Sequence, residues 1–553
     1  MMGSTGIKFF LALLAIGGSL TTGLVEAAPS IRANNYDNAG VQLKQNREVM
    51  ERARVSRQIA KDQARKQEKV EEQKEGESQQ QQGQLHFILQ QVRINPSQVI
   101  AEEELAGITA PCIGKPLTLA DLYRMVEEIN NLYSKRGYLT CRAILPPQTI
   151  KQGTVEIRLI EGRTGQVKLM GNESTAEDYI RARLSLEQSR ISNVNRLNEE
   201  LLLFNGTNDV QLSLSMEAGE EVGETDFVLK LKEPPQHSWN YYTDNMGSKS
   251  SGEWRGGLFY TDRSLTGRRD LLSLTTMASD GSASLGMNYS NQLNTAGTKL
   301  NFGYSYNDVE IKHGELRELD FTSDAYALNL GLSHPLNLTE DRRTELTLMY
   351  NNQGSKSHIA GAPYLDDHLQ DGQLGYAVTD YGQGTAFYRR YSLSYGGSKN
   401  IYGKHKEFTL GQFNAFYQKA FPHGQMWTAR LDGQLSGNEG LPSSRQFYIG
   451  GAYSVRGYDE SVLGGDHGCL FSVEYSTPLF RNNFAAFTFW DYGAVYGATA
   501  LNDHILSSVG LGLRGNIHKS VYASLTWGVP LARNLNGARA DSSKLHLLLN
   551  GSF

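Results

Sequence analysis

From position 236 to the carboxy-terminus the chain consists of segments of roughly ten residues in which polar and apolar side chains alternate, separated by turns. Eleven run from Trp239–Met246 to Met426–Leu435, and five more, from Gly468–Thr477 to Lys544–Phe553, follow a long connection over 436–465. Successive side chains of a strand point to opposite faces, so each segment offers one apolar and one polar face. Sixteen such strands exceed what an open twisted sheet normally holds, and each has the length of a transmembrane barrel strand, about 9–11 residues. The pattern predicts an antiparallel membrane β-barrel of 16 strands over 236–553, apolar outside and polar in its lumen.

A barrel also makes sense of the composition. The mean hydropathy of −0.44 excludes a bundle of membrane helices, but not a barrel that shows lipid only every second side chain. All five Trp and 23 of the 28 Tyr lie at or beyond position 237, as expected if they gather where strands cross the headgroup level. The last strand carries Leu545, Leu547 and Leu549 on one face and ends in Phe553, an aromatic carboxy-terminal barrel signal. With 54 Lys and Arg against 59 Asp and Glu, the chain lacks the basic excess of a nucleic-acid-binding protein.

The amino-terminal 27 residues read as a secretory signal peptide: one lysine, the apolar run from Phe9 to Gly18, and small residues around Ala27. Export permits disulfides. Cys112 and Cys141 flank one helical unit, and bridging them would stabilise by roughly 3 to 4 kcal/mol on a chain-entropy estimate; two unpaired buried thiols are the alternative. Cys469 has no catalytic surroundings. Residues 28–84 are polar and charged, and Lys44 to about Glu75 favours a helix before a Gln-rich linker at 79–84. A helix polar on every face cannot dock on an ordinary core. It is either solvated or a rod suited to a water-filled channel.

Two small modules come next, over 85–164 and 165–235, each in the order strand, helix, helix, strand, strand. In the first, Leu119, Leu122, Val126, Ile129 and Tyr133 give one helix an apolar face, Thr118 and Asp121 stand where a capping box would, and Gly137 stops it. The second repeats the plan until Glu233-Pro234-Pro235 ends it. The duplicated unit, with its Lys135-Arg-Gly-Tyr138 turn, resembles the POTRA domains on the periplasmic side of outer-membrane transport barrels.

Within the long connection stands Val455-Arg456-Gly457-Tyr458, and on the thirteenth barrel strand Phe489-Trp-Asp491-Tyr-Gly493. Alternation puts Phe489, Asp491 and Gly493 on one face and Trp490 and Tyr492 on the other, so Asp491 points into the lumen if the two aromatics meet lipid. A carboxylate facing the lumen wants a partner, and the planar guanidinium of Arg456 on an infolded loop could supply one bidentately, in a pair expected to be wet. Neither tetrapeptide nor strand is specific alone. Together with the strand count, the two modules and Asp244-Asn-Met-Gly247 at the barrel start, they make the chain resemble the transporter component of two-partner secretion systems.

That resemblance implies a bacterial outer-membrane protein whose polar amino-terminal helix plugs the barrel and whose POTRA-like modules bind a large secreted partner protein. It implies further contacts with outer-membrane lipid and, during insertion, with the barrel-assembly machinery. Val455, Arg456, Gly457, Tyr458, Phe489, Asp491 and Gly493 would form its gating motif. No catalytic arrangement, metal cluster or cofactor motif is expected, and no Walker sequence suggests nucleotide use. An insertase of the barrel-assembly kind is the alternative, disfavoured because it usually has more POTRA units and no plug helix.

Overall fold

The computed structural model describes residues 37–67, 86–221, 223–479, 483–497, 504–535 and 538–553. The expected signal peptide at 1–27 and the Gln-rich linker at 79–84 lie outside the described residues. The polar helix, α1, spans Ala39–Gln67, beginning five residues before the expected Lys44; its expected continuation to Glu75 lies outside them too.

The first module comprises β1 (Gln91–Ile94), α2 (Glu102–Thr109), α3 (Leu119–Lys135), β2 (Cys141–Ile144) and β3 (Thr154–Glu161). Its sheet has the order β1-β3-β2, with β1 parallel and β2 antiparallel to the centre strand. The Thr118 hydroxyl and the Asp121 carboxylate form the expected reciprocal capping box at the start of α3, and Gly137, at φ 82°, follows its end. Leu122, Val126, Ile129 and Tyr133 pack on Val155 and Ile157. Leu119, assigned from sequence to the same face, is instead exposed, and Met125 is buried.

Cys112 and Cys141 are free thiols, so the expected disulfide is corrected. Cys112 closes a single 3₁₀ turn after α2, while Cys141 opens β2, and both pack against the same apolar cluster as side chains of the core. Burial pushes the Cys141 thiol up to about 11, which keeps it protonated and unreactive at neutral pH.

The second module repeats the plan with β4 (Arg163–Met170), α4 (Glu177–Arg181), α5 (Val194–Thr207), β5 (Gln211–Ala218) and β6 (Glu224–Lys232), in sheet order β4-β6-β5. Its core is small, built around Tyr179, Ile180, Phe204 and Leu229.

Sixteen antiparallel strands then close into a barrel. They are β7 (His237–Asp244), β8 (Arg255–Asp262), β9 (Leu271–Ala278), β10 (Ser282–Gln292), β11 (Lys299–Glu310), β12 (Phe321–Leu338), β13 (Arg342–Ile359) and β14 (Ala362–Gly382), then β15 (Thr385–Lys399), β16 (His405–Ala420) and β17 (Met426–Ser436). After the long connection come β18 (His467–Leu479), β19 (Phe484–Tyr496), β20 (Ile505–His518), β21 (Val521–Pro530) and β22 (Lys544–Ser552). The count matches the sequence expectation, but several lengths do not: β12, β13 and β14 have 18, 18 and 21 residues. The ladder of main-chain pairing continues along segments that are polar on both faces in sequence, as along Asn351–Ile359, where Asn351, Gln353, Ser355 and Ser357 are buried, and there the alternation of polarity that marks a strand fades.

The barrel closes where β22 meets β7 over Leu548↔Asp244 to Ser552↔Asn240. Phe553 extends this seam by exchanging main-chain hydrogen bonds with Trp239 at 3.0 and 3.3 Å. The barrel mouth where β7 begins and β22 ends abuts the second module: the Ala176 amide donates to the Gly267 carbonyl at 2.9 Å, and the side chain of Arg269, fully buried, grips Asp209 bidentately.

Candidate gating site in the barrel lumen

The connection over 437–466 folds back into the barrel. Its two arms pair as a short ladder, Phe447–Ile449 against Leu463–Gly465. Gly450 and Gly451, at φ 105° and 99°, turn the chain where an L side chain would be strained. The tip is anchored by apolar packing: Val455 and Tyr458 are buried with Ile449, Leu463, Leu470, Val495 and Leu506. The Tyr458 hydroxyl lies 2.7 Å from the Ala532 carbonyl and 3.1 Å from that of Ser507.

This packing sets Arg456 against the wall. Its Nε and Nη2 donate to the two carboxylate oxygens of Asp491, both at 2.9 Å, and its main-chain N–H donates to Asp491 Oδ2 at 3.1 Å. The fork expected from sequence is therefore formed, and Asp491 is completely buried. The guanidinium lies 3.5 Å from the ring centroid of Phe489, two residues before Asp491 on the same strand face. Trp490, between them, points the other way and is 44% exposed. Gly493 makes the close approach possible, since a Cβ there would lie 3.0 Å from Ile449 and 3.1 Å from Val455. Gly457 serves similarly beneath Pro530 and Ser508.

Several members of this cluster escaped sequence reasoning. Glu474 on β18 accepts from Arg456 Nη1 at 2.7 Å and pairs through its other oxygen with Arg514 on β20, also at 2.7 Å. Two guanidiniums thus balance two carboxylates in a low-dielectric setting, with the Ser472 hydroxyl donating to Asp491 at 2.7 Å. The sequence signal for Glu474 was a lone acid in the strand segment Phe471–Tyr475, at lumen parity. On the opposite side, His546 of β22 donates from Nε2 to the Arg456 carbonyl at 3.0 Å. Gly528 of β21 leaves room for that carbonyl, which a Cβ would approach to 2.2 Å. A second buried fork joins Arg255 to Asp244 near the seam, at 2.8 and 3.1 Å.

Helix α1 runs through the same lumen. Near its start, Ala39 and Leu43 pack on Val309, Ala325 and Ala327, and near its end Ile59 packs on Tyr381 and Ala386. Between these points its partners are polar. Arg52 donates to the Tyr453 carbonyl at 2.9 Å and lies 3.6 Å from Asp432. Glu51 pairs with Arg390 at 3.3 Å, Lys44 reaches the Gln446 carbonyl, and Gln45 reaches the Ser461 hydroxyl. A polar rod is matched by a polar lumen, and three of these five polar partners, Tyr453, Gln446 and Ser461, belong to the infolded loop.

A closed barrel of this size, occupied by a lumenal helix and an infolded Arg456 loop and preceded by two small modules at one mouth, defines an outer-membrane protein-translocation barrel. The model of the haemolysin secretion/activation protein family ShlB/FhaC/HecB matches residues 223–515, and that of the ShlB-type POTRA domain matches 87–162. The chain belongs to the ShlB/FhaC/HecB family. It is 26% identical over 487 residues to the heme/hemopexin transporter protein HuxB of Haemophilus influenzae, covering 82% of this chain and 85% of that one. Its fold is similar to that of CdiB from Escherichia coli, with a TM-score of 0.69 at 18% identity over 96% of this chain and 100% of the other. Similarity to BamA from Haemophilus ducreyi lacking POTRA domains 1–3 is lower, at a TM-score of 0.52 over 84% and 100%. The protein is a two-partner secretion transporter of the outer membrane, with its POTRA modules in the periplasm; the insertase alternative is less supported.

Proposed function

We propose that the chain exports its secreted partner as an unfolded polypeptide through a lumen closed at rest by α1 and shaped by the Arg456 loop. The observation that carries this reading is the bidentate Arg456–Asp491 contact, which holds the loop to the wall beside the plug. In the periplasm β1 and β4 are the outer strands on which an extended segment can add as a further strand, since the opposite edges are capped, β2 by Asn130 on Ala143 and β5 by Asn205 on Leu212. Strand addition uses main-chain groups and so suits a long unfolded chain of varied sequence. The passenger then occupies the space that α1 leaves, passing the loop, and folding outside the cell makes the passage one-way without nucleotide hydrolysis.

Arg456→Ala tests the loop's role. The variant is expected to insert in the outer membrane at normal levels and to retain heat-modifiable mobility, while the partner protein disappears from the culture supernatant. Normal secretion by this variant would refute the assignment.

A further inference from the structure

Helix α5 of the second module ends against the barrel mouth, and its last carbonyls are held from two sides. Arg343, on wall strand β13, donates from Nη1 to the Gly206 carbonyl at 2.8 Å. Lys61, near the end of α1, donates from Nζ to the carbonyls of Asn205, at 3.2 Å, and Asn208. A Cβ on Gly206 would lie 2.0 Å from Leu338 of β12, so the helix end has no room to move closer to the wall. Carbonyls in the last helical turn lack intrahelical partners and carry the negative end of the helix dipole, so two cations are well placed there.

The other end of α5 is joined to the first module in the same manner. Asn193 caps two helices: its Oδ1 accepts from the Arg196 amide at 3.1 Å at the start of α5, and its Nδ2 donates to the Arg136 carbonyl at 2.8 Å at the end of α3. The Val194 amide donates to the Gly137 carbonyl at 2.8 Å. Gly137 permits this contact by its φ of 82° and by its missing Cβ, which would stand 2.6 Å from Asn193 Oδ1. Helix α3, helix α5 and the plug are therefore linked end to end through main-chain carbonyls.

We propose that the carbonyl end of α5 is a latch for the plug. Lys61 is held there while the periplasmic arm is seated on the barrel mouth, and a displacement of the arm, such as strand addition to either module would impose, withdraws the acceptors and lowers the barrier to plug exit. The bonds that α1 makes to the wall and to the 437–466 loop would not sense the arm, whereas the Lys61 contact would. This inference rests on the reading of α1 as a plug.

The test uses the full-length protein in planar lipid bilayers, with the fraction of time in the high-conductance state as the readout. Lys61→Met is expected to raise that fraction about two- to fivefold, the effect of losing one cation at a helix carboxy-terminus. Lys61→Arg should leave it unchanged. Arg343→Met frees the same helix end from the wall and should also raise it, and the double variant should go no further than Lys61→Met, because both act through one latch. An unchanged fraction in Lys61→Met, or effects that multiply in the double variant, would overturn the proposal. Deleting 39–67 separates the two readings: if deletion fails to raise conductance the plug itself is refuted, and if it succeeds while Lys61→Met does nothing, only the latch is refuted.

Discussion

At the scale of single residues, the proposed gating site depends on one buried charge being fully matched. Asp491 is inaccessible to water and accepts from Arg456 three times and from Ser472 once. Removing one partner of such a pair leaves an uncompensated buried charge and costs roughly 3 to 5 kcal/mol, whereas the pair itself contributes far less net stability. The Arg456 loop is therefore kept in place more by the penalty for leaving than by the strength of the contact. Gly528 provides an independent check because it bears no charge. A Cβ there would approach the Arg456 carbonyl to 2.2 Å, main chain that cannot rotate away. Gly528→Ala should displace the loop and reduce secretion nearly as far as Arg456→Ala, with the ionic partners intact. Protease accessibility of the loop in folded protein would register this, and a loop as protected as in the wild type would count against the steric account.

Among the elements, the joint between the second module and the barrel is held by a cluster of charged and hydroxyl side chains. Glu233, at the end of the module, accepts from the amides and hydroxyls of Ser174 and Thr175, and Arg269 lies 3.9 Å away. Burial alone would raise its carboxyl, but the hydrogen bonds from Ser174 and Thr175, helped by Arg269, hold it below the ordinary glutamate range. A depressed value in the folded state means that the ionised form supports the joint. That support is complete above the ordinary glutamate pKa of about 4.3 and is lost as pH falls through the lower, folded value. Hydrogen exchange at 174–175 and 264–269, corrected for intrinsic rates, should accelerate on acidification. Glu233→Gln should show the faster exchange at neutral pH; protection independent of pH in the wild type would contradict this.

For the whole molecule, the notable contrast is between a barrel closed by a continuous ladder and a plug retained by polar contacts with small apolar patches at its two ends. Ion pairs in a wet lumen are screened as the Debye length falls from about 10 Å at 0.1 M salt to about 3 Å at 1 M. The high-conductance fraction in planar bilayers should therefore rise between these concentrations by more than bulk conductivity explains, and a fraction insensitive to salt would argue that the apolar patches hold the plug instead. Much of this architecture was legible in the sequence. Alternation over sixteen segments, the duplicated module and the capping box around Thr118 are local or periodic signals, set by side-chain direction along strands and helices, and each survived in the fold. The Arg456–Asp491 pairing could also be anticipated, because alternation decides which face Asp491 occupies and a carboxylate on that face needs a cation. The cysteines misled, since spacing along the chain says nothing about where two thiols sit around a core. Glu474, Gly528, His546 and Lys61 could not be assigned from sequence for a related reason: each acts on a partner main chain or side chain that only barrel closure, loop infolding or the seating of the second module brings within reach. Sequence by itself determined which faces are apolar, where strands and helices run, and hence the class of molecule. Tertiary structure alone decided what meets in the lumen, because contacts between segments tens to hundreds of residues apart depend on how the strands close and not on any local pattern.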